Sequence, residues 1–473
     1  MSTETQILSV VDNVIRLKRD TLGPDLLSTL RNELTRENPQ YHVMKRMRDR
    51  NPRKYANTRL PPATISSYEE DAVTIYLPRG FKDRLVELAG EHGQGITFHD
   101  DTVVHERIPE IGLSPEIQLK DYQRRGVGAL VMGQNGVLVA PCGGGKTVAG
   151  VGIISTLKLP TLVLVHTHDL LAQWQRELAS KATLPGPVGQ WGGGVKQREA
   201  VTVATIQTLV RMDPVDVRAL LQEFGCVILD EAHHCPADTF LAVMNLAPCR
   251  FRFGLTATPK RKDGLEFLMH DTIGPILAEI FDSDLQAEGR SQSCVVREVM
   301  TTFYTRYTAD EWTQLIAEMV KDSDRNRLIV EKTVRGWHEG EFALLLSERV
   351  GHCRELQTAL QANGMRAELL VGTVPKRQRE RIVADAKAGL VDAIVATKVA
   401  DEGLDIENLS SVHLTTPTAN ESKTQQRVGR IRRPVEGKVS RIYDYVDPRV
   451  SAMVRMAKAR RRFFKKWGFT FEA

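Results

Sequence analysis

The stretch Ala140-Pro-Cys-Gly-Gly-Gly-Lys-Thr147 has the composition of a loop that holds phosphate. Gly143, Gly144 and Gly145 let successive backbone N–H groups turn inward around phosphate oxygens. The helix expected to follow adds the positive end of its dipole. Lys146 can reach the β- and γ-phosphates of ATP, and Thr147 can offer its hydroxyl to Mg2+. Ala140 stands where the strict pattern G-x-x-x-x-G-K-[ST] has glycine, and the relaxed form A-x-x-G-x-G-K-T fits. A second tetrapeptide, Asp230-Glu-Ala-His233, follows the apolar run 226–229. There Asp230 is placed to hold Mg2+ through water, and Glu231 to orient and deprotonate an attacking water. His233, His234 and Cys235 stand too close together for a zinc site.

Phosphate loops of this kind sit where a strand feeds a helix, and the surrounding sequence supplies such units. Short apolar runs at 136–140, 161–165, 201–204, 226–229 and 252–255 alternate with helical or loop segments. A similar set recurs at 342–346, 367–371, 393–396, 412–414 and 439–443. Runs without polar alternation read as parallel strands covered on both faces by helices. The expected architecture is α/β, with two tandem domains at 113–285 and 286–473. Residues 1–112 form a small α+β accessory domain. Within it, Ile7, Leu8, Val10, Val11, Val14, Ile15 and Leu17 recur at spacings that predict an amphipathic helix. A second helix is expected over 25–34, a strand over 72–77, and a turn at 78–80 before another helix.

With these residues in place, the chain from about 113 to its end resembles the superfamily 2 helicases and translocases. The likeness is to their DEAH-type branch, which includes XPB and UvsW-like proteins, and it implies two RecA-like domains. Asp121-Tyr122-Gln123 resembles the glutamine motif, so Gln123 is expected near adenine. Leu162-Val-Leu-Val-His166 with Leu171-Ala-Gln-Trp174 resembles motif Ia, and Val201-Thr-Val-Ala-Thr205-Ile-Gln207 the motif after it. Gly254-Leu-Thr-Ala-Thr-Pro259 resembles motif III, continued by Lys260-Arg-Lys-Asp-Gly264. Ala396-Thr397 with Glu402-Gly-Leu-Asp405 resembles motif V, and Gln425-Gln426-Arg-Val-Gly-Arg430-Ile-Arg-Arg433 motif VI. The resemblance implies that Gln426, Arg430 and Arg433 act on the γ-phosphate and that Asp405 helps hold the nucleotide. It also implies that His233, Thr256 and Thr258 relay nucleotide state. Trp174, Thr205, Gln207 and Thr397 would touch nucleic acid. Strand-end capping is the other reading of Thr256 and Thr258, and a core position is the other reading of Trp174 and Trp191. The activity implied is ATP-driven unwinding or remodelling of DNA, forked, branched or single-stranded, in repair or recombination. An RNA helicase, or an ATP-gated motor subunit of a restriction or defence assembly, shares these motifs.

Composition sets the remaining bounds. The chain has 473 residues, 64 Lys and Arg against 59 Asp and Glu, and 42% hydrophobic residues. It reads as globular and multidomain. No apolar run is long enough to span a membrane, no secretory leader is evident at the start, and six cysteines form no C-x-x-C pair. The expected setting is therefore cytoplasmic and reducing. Charge is concentrated in two places. Residues 41–59 carry seven bases and one acid, and residues 451–473 also carry seven and one. Both suggest a polyanion partner, and solvated helix faces are the alternative. In the first, Arg46, Arg48, Arg50 and Arg53 are the candidate phosphate contacts.

Overall fold

The structure is a computed structural model that describes residues 5–53, 55, 57–141, 143–232, 237–258, 263–397 and 406–472. Two units divide the chain: Met1–Ala140 with Gly145–Ile280, and Phe281–Ala473 with the loop residues Pro141–Gly144. The division at 280/281 falls a few residues before the expected domain boundary at 285.

An eight-stranded sheet organises most of the first unit. Its strand order is 195–197, 189–192, 201–205, 161–165, 226–230, 251–256, 135–139 and 276–279. Every neighbouring pair from 189–192 to 276–279 is parallel. The strands Thr161–Val165, Val201–Thr205 and Cys226–Asp230 are buried at every residue, which explains their mostly apolar sequence. Three adjacent strands, 226–230, 251–256 and 135–139, end on the same edge of the sheet. One leads into Asp230 and Glu231, the next into Thr256 and Thr258, and the third into the glycine loop. The carboxyl edge of an open parallel sheet is where ligands bind in such folds.

In the second unit the sheet has seven strands in the order 367–370, 393–396, 343–346, 411–414, 440–446, 294–300 and 470–472. All its pairs are parallel. A buried ion pair ties its carboxyl edge together. Arg325 Nε lies 2.8 Å from Asp447 Oδ1, and Arg325 Nη1 donates to the Thr415 carbonyl at 2.8 Å. Thr301 Oγ1 donates to the same Asp447 oxygen at 2.6 Å.

Residues 5–100 build their own five-stranded sheet, in the order 69–70, 74–77, 15–18, 5–11 and 94–100. Here the expected first helix is corrected. Thr5–Val11 and Ile15–Lys18 are antiparallel strands. Burial alternates: Ile7, Ser9 and Val11 point inward, while Leu8 is 63% exposed. β-Branched residues at alternating positions favour the pleat. Asp12 closes the turn by accepting from the Val14 N–H at 3.2 Å. The helices Pro24–Glu33 and Lys82–Glu91 and the strand Thr74–Leu77 fall where expected.

This subdomain is clasped to the eight-stranded sheet by two buried arginines. Arg79, 4% exposed, donates to the carbonyls of Asp12, Cys249 and Arg250. Arg252, fully buried, donates to those of Asn13 and Ala247. Burial, reinforced by the charge of Arg252, pulls Arg79 down to about 9. Arg36 adds an ion pair to Asp271 at 2.5 Å, and Ser67 Oγ donates to that carboxylate at 2.7 Å.

Replacing Arg325 with Met should cost the second unit about 3–5 kcal/mol, because Asp447 is left buried without its cation. Denaturant unfolding followed by a probe in each unit should show only the second unit's transition moving. An unmoved second transition contradicts the assignment of this pair as its anchor.

Candidate active site

The glycine loop leaves the strand Asn135–Val139 and enters the helix Lys146–Leu157. Its backbone takes the left-handed region at Gly143 (φ 84°) and at the helix N-cap, Gly145 (φ 73°). At Gly145 a side chain is excluded twice. The conformation disfavours one, and a Cβ there would lie 2.3 Å from Gln123 Nε2. Gln123, 3% exposed, thus rests against the loop while its Oε1 accepts from the Lys120 N–H at 3.0 Å.

Lys146, Asp230 and Glu231 lie together at the strand end. Lys146 Nζ donates to Glu231 Oε1. Glu231 stands at φ 49°. Non-glycine residues avoid that region, so the candidate general base sits at a strained backbone position. Its N–H donates to Asp230 Oδ1 at 2.9 Å. Asp230 is 5% exposed. Burial pushes its carboxyl above the usual carboxylate range, and the neighbouring charge of Glu231 adds to this. Lys146 and a hydrogen bond from Trp174 oppose the shift.

Trp174 is the correction of most consequence. It does not face a nucleic acid, being 0% exposed on the helix His168–Lys181. Its indole Nε1 donates to Asp230 Oδ2 at 2.7 Å. The ring also presses on the loop helix, where a Cβ at Gly150 would meet Trp174 Cη2 at 2.5 Å. The core reading of Trp174 therefore holds, and it carries a polar task that the sequence pattern did not reveal. Trp191 is half-buried, with its Nε1 3.3 Å from the sulfur of Met212.

The remaining expected residues divide. Thr147 lies in the first turn of the loop helix, half-buried. Thr256 and Thr258 are buried and linked to each other, with Thr256 Oγ1 donating to the Thr258 carbonyl at 2.7 Å. Strand-end capping describes that geometry. Thr205 is also corrected. It is 2% exposed, and its hydroxyl pairs with that of Thr208 at 2.6 Å, so it does not present a surface contact in this structure. Gln207 is exposed and donates to the His166 carbonyl at 2.8 Å. Thr397 is half-buried just past the strand Ala393–Ala396. In the second unit, Gln426 is buried on the helix Glu421–Gly429, and Arg430 caps that helix. Arg433 lies 3.6 Å from Glu407 at the surface. Of the flanking arginines, Arg427 and Arg432 are buried, and Arg432 pairs with Asp282 at 2.6 Å. His233 and Asp405 lie outside the described residues, as do 402–404 and 260–262.

The first basic stretch forms the helix Pro39–Arg50, in which no residue is fully buried. Arg46, Arg50 and Arg53 are exposed, and Arg48 is half-buried. Among the described residues, Lys45, Arg46, Arg48 and Arg53 form no ion pair. The acids that follow have other partners. Glu70 pairs with Arg31 at 2.8 Å, and Glu87 and Glu91 pair with Arg84 at 3.0 and 3.3 Å.

Known proteins resemble this chain in sequence and in fold. Residues 116–261 match the model of the type III restriction enzyme res subunit, and 324–435 match the helicase conserved C-terminal domain. The chain is 28% identical over 430 residues to a protein named DNA 3'-5' helicase XPB from Mycobacterium tuberculosis, covering 88% of this chain and 76% of that one. It is 26% identical over 373 residues to DNA 3'-5' translocase XPB2 of Sulfurisphaera tokodaii, covering 70% and 82%. The solved structure of S. cerevisiae Dbp5 bound to RNA and ADP BeF3 shares the fold, at TM-score 0.55 and 15% identity over 75% of this chain and 90% of its own. Among the described residues no helix is long and apolar enough to cross a membrane.

Replacing Trp174 with Phe keeps the ring and removes the N–H. Loss of a hydrogen bond to a carboxylate should cost about 1.5–3 kcal/mol at pH 7. Asp230 has a raised pKa in the fold, so as pH falls it binds its proton there before the unfolded chain does. The cost of the substitution should therefore shrink as pH falls toward the ordinary carboxylate range. Urea unfolding followed in steps from about pH 8 to about pH 4 tests this. A cost that stays constant over that whole range would mean that the indole does not serve a charged carboxylate.

Proposed function

We propose, from the premise that this chain belongs to the superfamily 2 helicases and translocases in their XPB-like branch, that it couples ATP hydrolysis to movement along DNA. The observation that carries this reading is the cluster at the carboxyl edge of the first sheet. There a glycine loop, Lys146, Glu231 and a buried Asp230 held by Trp174 meet. The residues suit a nucleoside triphosphate. The loop backbone turns at two left-handed glycines, and Gln123 lies against Gly145. The helix N-terminus faces the same place, with its positive dipole end.

Each side chain then has a task. Lys146 holds Glu231 in this structure, and phosphates entering the loop compete for its ammonium. Its transfer to phosphate leaves the Glu231 carboxylate able to take a proton from the attacking water. Asp230 and Thr147 would hold Mg2+, which supplies positive charge to the phosphates. Arg430 and Arg433 offer charge to the γ-phosphate as negative charge develops there, a contribution of about 10³–10⁵ in rate where such arginines act. Gln426 supports them. Asp405 and His233 keep their expected roles as proposals.

The track is DNA in this reading, with the 3'-5' direction carried in the relatives' names. The helix Pro39–Arg50 supports a further part: residues 1–112 bind nucleic acid and select the structure on which the motor loads. Arg46, Arg50 and Arg53 reach solvent, while the acidic segment beside them is matched by other arginines. The choice among forked, branched and single-stranded DNA is read from ATP turnover measured with each, and with RNA as the competing polymer.

Replacing Lys146 with Ala should abolish ATP turnover and leave DNA affinity within about threefold, since Lys146 serves the nucleotide and not the track. Near-normal turnover would remove the loop from the mechanism. Replacing Glu231 with Gln should keep ATP binding and lower turnover by a factor of about 10²–10⁴. For Arg430→Ala, kcat should fall much further than ATP affinity. A purely affinity-based defect would assign that arginine to ground-state binding.

A further inference from the structure

The second basic segment, 451–473, has no part in the chemistry described so far. It forms the helix Ser451–Lys466 in the second unit. One face of that helix is committed to the core through Ala452, Met453, Ala457, Ala459, Arg460 and Phe464. Arg460 fixes its rotation. The guanidinium, 1% exposed, lies 2.8 Å from Asp444 and donates to the Thr418 carbonyl at 3.1 Å. With the helix pinned in this way, Arg455, Lys458, Arg462 and Lys465 point to solvent, and all four are exposed. Their spacing of three, four and three residues places them on one stripe.

The cations flanking this stripe are neutralised. Arg461 pairs with Glu298, and Lys466 lies 2.9 Å from Glu421, at the start of the helix that carries Gln426. The four stripe cations form no ion pair among the described residues, and residues 451–471 contain no acid. Like charges at these spacings repel, so the stripe weakens the free protein and gains from a polyanion laid along it. From Arg455 to Lys465 the helix rises about 15 Å. One strand of a duplex offers a phosphate about every 3.4 Å of axis, so the stripe matches about four phosphates. The apolar face is buried in the domain, which leaves none to enter a lipid surface.

We propose that this stripe is a phosphate-binding ridge for duplex DNA, separate from the helicase motifs. It rests on the reading of the chain as a DNA motor. Backbone contacts of this kind position a duplex without reading its sequence. The ridge lies on the second unit, and the arginines of 46–53 lie on the first, so each unit carries its own hold on the track.

The test uses the full chain with Arg455, Lys458, Arg462 and Lys465 all replaced by Gln. Duplex affinity is measured by anisotropy between about 50 and 200 mM salt. The slope of log affinity against log salt should become shallower by about 0.9 for each phosphate no longer neutralised, up to about 3.6 for four. The melting temperature should stay level or rise, ATP turnover without DNA should be unchanged, and half-maximal stimulation should need at least about tenfold more duplex. Should the fourfold variant fold poorly, the pairs Arg455→Gln/Lys458→Gln and Arg462→Gln/Lys465→Gln should each give about half the slope change. Arg461→Gln/Lys466→Gln should give none. An unchanged slope in well-folded variants overturns the ridge, and is the result expected if an acidic protein is its partner. If the wild-type chain neither binds duplex nor responds to it in turnover, the motor reading fails first, and that outcome is distinct.

Discussion

A carboxylate inside a sheet must be met by donors or give up its charge. Asp230 is that carboxylate, and the first unit is arranged around meeting its demand. The backbone N–H of Glu231 and the indole of Trp174 supply hydrogen bonds, and Lys146 supplies charge from across the glycine loop. Each donor comes from a different element: the strand end itself, the helix His168–Lys181 and the loop helix. Satisfying one buried group thereby fixes three elements relative to one another. The same arrangement holds Glu231 in its strained conformation, because its N–H is bound to the side chain of the residue before it.

Trp174 also joins elements that no motif connects. Its helix opens with Thr167, whose side chain caps the Leu170 N–H at 3.2 Å, and Gln207 reaches the adjacent His166 carbonyl at 2.8 Å. The indole meets Asp230 through its N–H and Gly150 of the loop helix through its ring, so one rigid side chain packs between three elements.

Much of this was legible in the sequence, and the reasons are local. The glycine loop and Asp230-Glu231 could be read because their chemistry needs neighbouring residues in a fixed order. The parallel strands could be read because burial on both faces removes polar residues from short runs. What was misread depended on contacts distant in sequence or on ambiguous periods. Ile7 to Leu17 fits a helix and a hairpin almost equally, and the turn at Asp12 decides it. Trp174 meets a partner 56 positions away, which no spacing rule announces. Thr205 sits at a strand end that suggests access to a ligand, and only the packing of Thr208 shows its hydroxyl already engaged. Arg79 and Arg252 carry no motif, because their acceptors are backbone carbonyls that any sequence supplies.

Those two arginines bear on mechanics. Subdomains joined by a flexible tether search space, and their reach grows with tether length. Here the 5–100 subdomain is held by guanidiniums that cannot leave their carbonyls without exposing orphaned donors, so it turns as one body with the eight-stranded sheet. Its basic helix, Pro39–Arg50, is a fixed offset on that body. The spacing between this helix and the sheet is then set by the fold and not by residues 101–112, and inserting residues there would add slack without lengthening the reach.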